Sequence, residues 1–537
     1  MRAMIDLCRL PLDLRQWMVF IAIGAVLLLP ACRTRTSGTH SPAKDEILVV
    51  GPWEIPSLDP LSSGSQFMRM QVTETLVDAA GDGTVLPGLA EKWSTSSDGL
   101  EWRFELRRGV RFHDGSPLTA VSAMPSLKRA LVEPGSLALA PVERMEASGN
   151  EIIVRLKQPF SPLPALFAHS STQILAPSSF GPNGEVRSIV GTGPYRVVSI
   201  DRPQSFTVEA FDGWGGDPPP IRHATYLSVS RSETRALMAE SGQADLVFGL
   251  DPASLSRLRA NPHVRVEAVS IPRTIALKLN SGKPCFQDVR TRRAISLAID
   301  RARIARAILR DPEMAATQLF PPTLDGWHNP HLAPLATDPT QARMLLADAG
   351  WRKTSQGMLD LGGACSSMEL LTFVDRPELP LLSSVIQEQL RQVGLHIEVN
   401  IGNSGDIPLG HRAGTLMIGL MARNYGIVPT PLVTLIGDFG EHGGDWGAMN
   451  WHSPELASLF DALIFSPDGS GQAAARERVT EVLQSELPVI PIAWYRQTVT
   501  VGQRISGVSL DPFERTYRLI QIRWASSPLT ARIGGIQ

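Results

Sequence analysis

Cysteine is scarce in this chain, at four of 537 residues. No two of them stand in a Cys-x-x-Cys spacing, which argues against a structural zinc centre. An excess of one charge is missing as well: 51 basic residues face 53 acidic ones, a formal net charge of -2. That balance offers no footprint for a nucleic acid or another polyanion. Local catalytic signatures are absent. There is no Gly-x-Ser-x-Gly, no His-Glu-x-x-His and no phosphate-cradling Gly-x-x-x-x-Gly-Lys-Ser/Thr, so an enzyme reading has no motif to stand on. His328-Asn-Pro-His331 is a close histidine pair, and in a loop between apolar segments it reads as a solvated turn rather than a metal site. Internal repeats and long low-complexity tracts are lacking too.

A run of membrane-spanning length is also missing. Arg2, Arg9 and Arg15 precede an apolar run from Trp17 to Leu29, which is too short for a comfortable span. It ends in Leu29-Pro-Ala-Cys32. This layout predicts a secretory signal over residues 1–32. The small residue before Cys32 resembles the lipobox of bacterial lipoproteins, which would make Cys32 an acylated first residue. Pro30 departs from that pattern, and ordinary signal cleavage nearby is the alternative. Residues 33–45 then read as a polar tether, with a reach of roughly 20 Å.

What remains is ordinary globular material, 43% hydrophobic and 19% charged, long enough for two to four domains. Strand-like and helix-like segments alternate, which favours an α/β class. Trp102, Phe104 and Leu106 alternate with charges, Arg107-Arg-Gly109 breaks the run, and Val110 to Phe112 resume it. A strand, a tight turn and a returning strand are expected. Thr119 is placed to cap the next helix, with Pro125 kinking it or delaying its start. Asp338-Pro339 opens a helix that closes at Gly350. Leu382, Val385, Ile386, Leu390 and Val393 form one stripe ending at Gly394, with a strand over 395–401. Asp288 is placed to cap a helix whose Ala294, Leu297, Ala298, Ala302 and Ala305 share a face. Once Cys8 and Cys32 are set aside, Cys285 and Cys365 can form one bridge or remain two partly buried thiols.

The stretch from Leu86 to Thr119 carries Pro-Gly-Leu-Ala-Glu-Lys-Trp, then Ser-Asp-Gly, then Arg-Gly-Val-Arg-Phe-His-Asp-Gly-Ser-Pro-Leu-Thr. This phrase resembles the signature of the family 5 extracellular solute-binding proteins, the receptors of peptide, nickel and opine ABC importers. Gly191-Thr-Gly-Pro-Tyr195, Trp214-Gly-Gly216, Asp288 to Arg301 and Ala342 to Trp351 look like further landmarks in the same order. Together they cover about Glu46 to Phe513. The resemblance implies a two-lobed periplasmic-binding-protein fold of type II, in the large class with an extra subdomain and two hinge crossings. The crossings are expected near Ser270 to Leu279 and Pro488 to Thr500. Lobe I is then 46–272 plus 499–525, and lobe II is 273–498.

The same resemblance implies a binding receptor that delivers a small solute to ABC permease subunits in the membrane. It implies no catalysis, no cofactor and no metal, a monomer, and a periplasmic or outer-face location held by a lipid anchor. Peptides or peptide-like solutes come first, a nickel or other metal chelate or an opine second, and a ligand sensor without a permease is the rival. The cleft is expected to be read through Arg423-Asn-Tyr-Gly-Ile-Val-Pro-Thr-Pro431. Peptide binders generally place an aspartate there for the α-amino group, because a buried ammonium needs a paired anion. No acid occurs here between Leu420 and Ile436, which counts against bare α-amines. The expected cleft residues are Phe67, after the first strand and its Ser-Gly-Ser turn, His169, Arg423, Asn424 and Tyr425. Tyr425 offers a flat face and a hydroxyl. Arg423 either holds a carboxylate through two parallel hydrogen bonds or is a solvated loop arginine. Trp494-Tyr495 resembles the family's late hinge strand, either as a core pair or as a ligand contact.

Overall fold

The computed structural model describes residues 45–525 except 133, 442 and 466–470. The expected signal, nearly all of the tether and Cys32 lie outside the described residues. Among those residues no helix is long and apolar enough to cross a membrane.

Two long strands, Val264–Leu279 and Val489–Gly502, run antiparallel down the middle of a ten-stranded mixed sheet. On one side Ile418–Asn424 pairs with the first of them, and parallel strands Met368–Phe373 and Ile397–Gly402 follow. On the other side Leu246–Phe248 pairs with the second, followed by Glu46–Gly51, His223–Ser228, Ser205–Ala210 and Tyr195–Asp201. The central pair loses register between Ser270 and Thr274, and a bulge of that kind bends and twists its strand. The two halves of the sheet bury separate apolar clusters, one around Ile47, Val49 and Phe206, the other around Ile275, Leu277 and Leu370. These are the cores of two lobes, and the long strands are the crossings between them.

An antiparallel four-stranded sheet, Ala90–Thr95, Glu101–Leu106, Glu151–Leu156 and Val142–Ser148, forms the inserted subdomain. It corrects the expected hairpin. Glu101–Leu106 has both edges taken, by Ala90–Thr95 and by Glu151–Leu156. Val110 to Phe112 therefore has no edge to return to. It folds on the next turn instead, with the Phe112 amide donating to Ser116 O and Leu118 to Val110 O, both at 2.9 Å.

The helix after Thr119 starts on time. Thr119 and Ser122 cap each other reciprocally, and Ala120–Ala130 continues through Pro125. Asp338 caps Pro339–Asp348 as expected, accepting from Thr340 and Gln341. The Asp288 helix is shorter than its stripe predicts. It ends at Ala298, because Asp300 accepts from the Arg303 amide at 2.8 Å and caps a new turn. Such a side chain offers the backbone an alternative to helix continuation. Cys285 and Cys365 are joined in a disulfide across 80 residues.

Candidate functional site

A cleft of ≈ 640 Å³ opens between the lobes, within the size range of small-molecule sites. The turn Asp82 to Val85, Ser161 to Ala165 and Phe513 form one wall. The other comes from the second lobe, with Leu324 to Trp327, Pro429 to Leu432, Leu463 and Arg476. The lobes already touch beside it. Ser161 donates from its amide to Ile464 O at 3.1 Å and from its hydroxyl to Leu463 O at 3.2 Å. Val428 and Val433 are buried within the apolar cluster of the inserted subdomain.

The Arg423 to Pro431 stretch reaches this cleft, though through its far end. Pro429, Thr430 and Pro431 line it. Arg423, Asn424 and Tyr425 do not, and each is committed to its own lobe. Arg423 donates from Nε to Asp438 Oδ2 at 2.6 Å and from Nη2 to Asp438 Oδ1 at 2.8 Å. The two parallel hydrogen bonds expected of it are made, to a buried carboxylate of the protein itself. Asp438 stands just past the window that was free of acids. Asn424 accepts from the Gly426 amide at 2.8 Å, closing the turn that follows its strand. Tyr425 is buried with its ring 5.3 Å from Phe320, and burial pushes its phenol up.

Phe67 is fully buried in the first lobe's core, 5.0 Å from the Phe206 ring, and shows no surface to a solute. Its helix, Pro60–Arg69, turns Phe67 inward along with Ser63, Gly64 and Gln66. His169 caps the short Ser170–Thr172 turn. Its Nδ1 accepts from the Ser171 amide at 3.1 Å and faces Ser171 Oγ at 2.8 Å, and burial lowers its pKa to about 4. The structure thus scatters the five expected residues, and only 423–425 stand together. His328 is bonded through Nδ1 to Phe320 O and packs edge-on against Trp494. Among the described residues no group of three or more His, Cys, Asp or Glu side chains is placed to hold a metal ion.

The hinge line carries charge that the sequence did not single out. Arg273 and Arg376 lie over the Tyr495 ring at 5.2 and 5.1 Å from its centroid. Arg273 also pairs with Glu514 at 2.5 Å, and Arg69 donates to Glu514 O and stacks on Trp53. Glu378 is 95% buried with Oε1 unpartnered, and burial raises its pKa. Trp494 is the core member of the aromatic pair, its indole donating to Gln318 O at 3.0 Å, while Tyr495 sits among these charges.

The sequence landmarks prove to be staples. His113 donates from Nε2 to Gly193 O at 3.0 Å and accepts at Nδ1 from the Gly191 amide at 3.2 Å, which holds the ring neutral; burial lowers its pKa to about 4. Gly191 and Gly193 let the same segment pack on the Gln71–Val72 backbone, since a Cβ on either would sit 2.2 Å from a backbone oxygen of Val72 or Gln71. Trp351 donates to Thr291 Oγ1 at 3.0 Å, and buried Arg301 donates to Pro491 O on the crossing strand at 2.7 Å. None of these residues lines the cleft.

Known proteins share this architecture. The chain is 28% identical over 503 residues to the nickel-binding periplasmic protein of Escherichia coli (strain K12), covering 90% of this chain and 95% of that one. It is 25% identical over 377 residues to the glutathione-binding protein GsiB of Shigella flexneri serotype 5b (strain 8401), covering 68% and 70%. The solved structure of NikA from Brucella suis in complex with Fe(III)-EDTA superposes with a TM-score of 0.81 at 22% identity, over 89% of this chain and 100% of that one. The oligopeptide-binding protein AppA from Bacillus subtilis in complex with a nonapeptide superposes at 0.74 and 18% identity, over 90% and 99%. At those identities the superpositions speak to the fold. The family model for the bacterial extracellular solute-binding proteins, family 5 (middle), matches residues 84–441, and with two thirds of its length inside that match this chain belongs to the family.

Proposed function

We propose that this protein is the exported receptor of an ABC importer. It captures a peptide or peptide-like solute between its lobes and presents it to a membrane permease. The observation that carries this reading is the ≈ 640 Å³ cleft, walled by both lobes. Lobe I is taken as 46–272 plus 499–525 and lobe II as 273–498, so that closure turns on the bulged segment near Ser270. Capture needs no bond chemistry: the solute binds the closed state more tightly and draws the population toward it. A metal chelate is the second reading, favoured by the relative named for nickel. A chelate brings its own ligands, so the cleft itself needs no metal-binding cluster. The Leu29 to Cys32 run supports a lipid anchor, with Cys32→Ser expected to abolish fatty-acid labelling of the exported form.

The test is native mass spectrometry of the protein as purified, followed by small-angle scattering with and without the identified cargo. A bound solute of a few hundred daltons and a smaller radius of gyration with cargo are expected. Identical scattering profiles with a solute of proven affinity would remove lobe closure from the account.

A further inference from the structure

Among the described residues the cleft lining holds one cation with no carboxylate partner. Arg476 lies on the helix Gln472–Glu486 and faces the cleft beside Asp325 and Trp327. Its Nε is buried and has no hydrogen-bond partner. Four other arginines among the described residues, Arg129, Arg155, Arg496 and Arg515, also have a buried Nε without a partner. Each of those is anchored by a carboxylate through another nitrogen. Among the described residues Arg476 has no such pair. Acids are not lacking nearby: two positions along the same helix, Arg478 holds Glu455 at 2.6 Å and Glu481 at 2.8 Å.

The rest of the lining does not answer the charge. Thr84, Ser161 and Thr430 offer hydroxyls, and Pro164, Leu324, Trp327, Leu463 and Phe513 offer apolar surface. Asp82 and Asp325 are the acids of the lining, both exposed at its rim. Each is turned to its own loop, Asp82 accepting from the Thr84 amide at 2.9 Å and Asp325 from the Gly326 amide at 2.9 Å. Gly326 fits closely under the guanidinium: a Cβ there would stand 3.5 Å from Arg476 Cζ. A planar fork with a backed face and no internal anion is shaped for an anion from outside.

The geometry points to Arg476 as the residue that grips a carboxylate of the captured solute. The inference rests on the receptor reading above and narrows its cargo to carboxylate-bearing organic solutes. Either a peptide C-terminus or the carboxylates of an amino-acid chelate supplies that group. Among the described residues no buried acid lines the cleft to meet an ammonium, so the carboxylate, and not a free α-amine, is what binding requires.

Calorimetry on the full exported chain tests this with five probes: N-acetyl-trialanine, its C-terminal amide, free trialanine, reduced glutathione, and nickel(II) with two equivalents of L-histidine. Wild type is expected to bind at least one carboxylate probe. The amide is expected to bind at least tenfold more weakly than the acid, or not detectably, the loss typical of a charge-assisted hydrogen bond. Arg476→Gln should weaken every bound carboxylate probe by a similar factor, and Arg476→Lys should restore part of it. Preference for the peptide probes or for the chelate identifies the source of the carboxylate. Equal binding of acid and amide by wild type overturns the assignment without any variant. An Arg476→Gln loss that is the same for acid and amide also overturns it, because the arginine would then act on lobe closure. Failure of all five probes to bind wild type is a different result, which removes both the cargo class and the receptor reading.

Discussion

His113 and Arg423 show what a conspicuous residue does in this protein. His113 belongs to the most recognisable phrase of the chain, and its two ring nitrogens are spent on Gly191 and Gly193. Arg423 was read either as a grip for a ligand carboxylate or as a solvated loop arginine, and it holds the protein's own Asp438. Asp438→Asn leaves a nearly buried guanidinium unpaired and should lower unfolding stability by about 3 kcal/mol, read from the denaturation midpoint. Protonation gives a second test. His113 and His169, both near pKa 4, are neutral in the fold, so their contribution is complete above pH 6.5 and is lost as pH falls toward 4. Glu74 runs the other way. Burial raises its pKa to about 7, so the folded state loses stability as pH rises from 4.5 through 7. The Glu74→Gln melting temperature should exceed that of wild type by a margin that grows over that window and is constant above it. A margin independent of pH would show that Glu74 is not protonated in the fold.

At the scale of elements, caps and breaks were mostly legible. Asp338 and Gly350 bound their helix where the sequence places them, and Thr119 starts its helix despite Pro125. Local chemistry decides those points, because a cap is satisfied by amides two or three residues away. The two misreadings differ in cause, the first non-local and the second a local cap read past. Val110 to Phe112 looks like a returning strand until Glu151–Leu156, forty residues on, takes the edge it needs. The stripe from Ala294 to Ala305 looks continuous until Asp300 caps a new turn within it. The disulfide belongs here as well. It ties the short helix Pro284–Gln287 to the loop after Asp360, closing 80 residues. Chain-entropy arguments give such a bridge ~4 kcal/mol. Replacing both cysteines with serine should lower the melting temperature markedly while leaving solute affinity within about twofold, since neither sulfur lines the cleft.

For the whole molecule the main question is what holds the lobes together. Val428 and Val433, from the stretch following Tyr425, are buried in the inserted subdomain's core. Burying one such side chain contributes on the order of 1.5 kcal/mol. Val428→Ser should therefore shift the lobes toward the open state and weaken solute affinity by up to about tenfold. Scattering on the unliganded variant should give a larger radius of gyration than wild type. An unchanged radius together with unchanged affinity would mean that this contact is not part of closure.

The family, the α/β class and the two crossings were all readable in the chain, because each is written in contiguous residues: a long motif, a set of caps, two apolar strands. The lining of the cleft was not. The stretch 423–431 was expected to read the cleft; Pro429 to Pro431 line it, and Arg423 to Tyr425 stay in the lobe behind it. Arg476 sits in an unremarkable Ala-Ala-Ala-Arg-Glu-Arg sequence that reads as a solvated helix face. Whether an arginine is paired depends on which carboxylates lie within about 4 Å of it, and the partner of Arg423 stands on the helix after its strand, 15 residues on. Composition and periodicity carry no record of such distances. Tertiary packing sets them: within the second lobe it gave Asp438 to Arg423, and it left Arg476 without a carboxylate partner among the described residues.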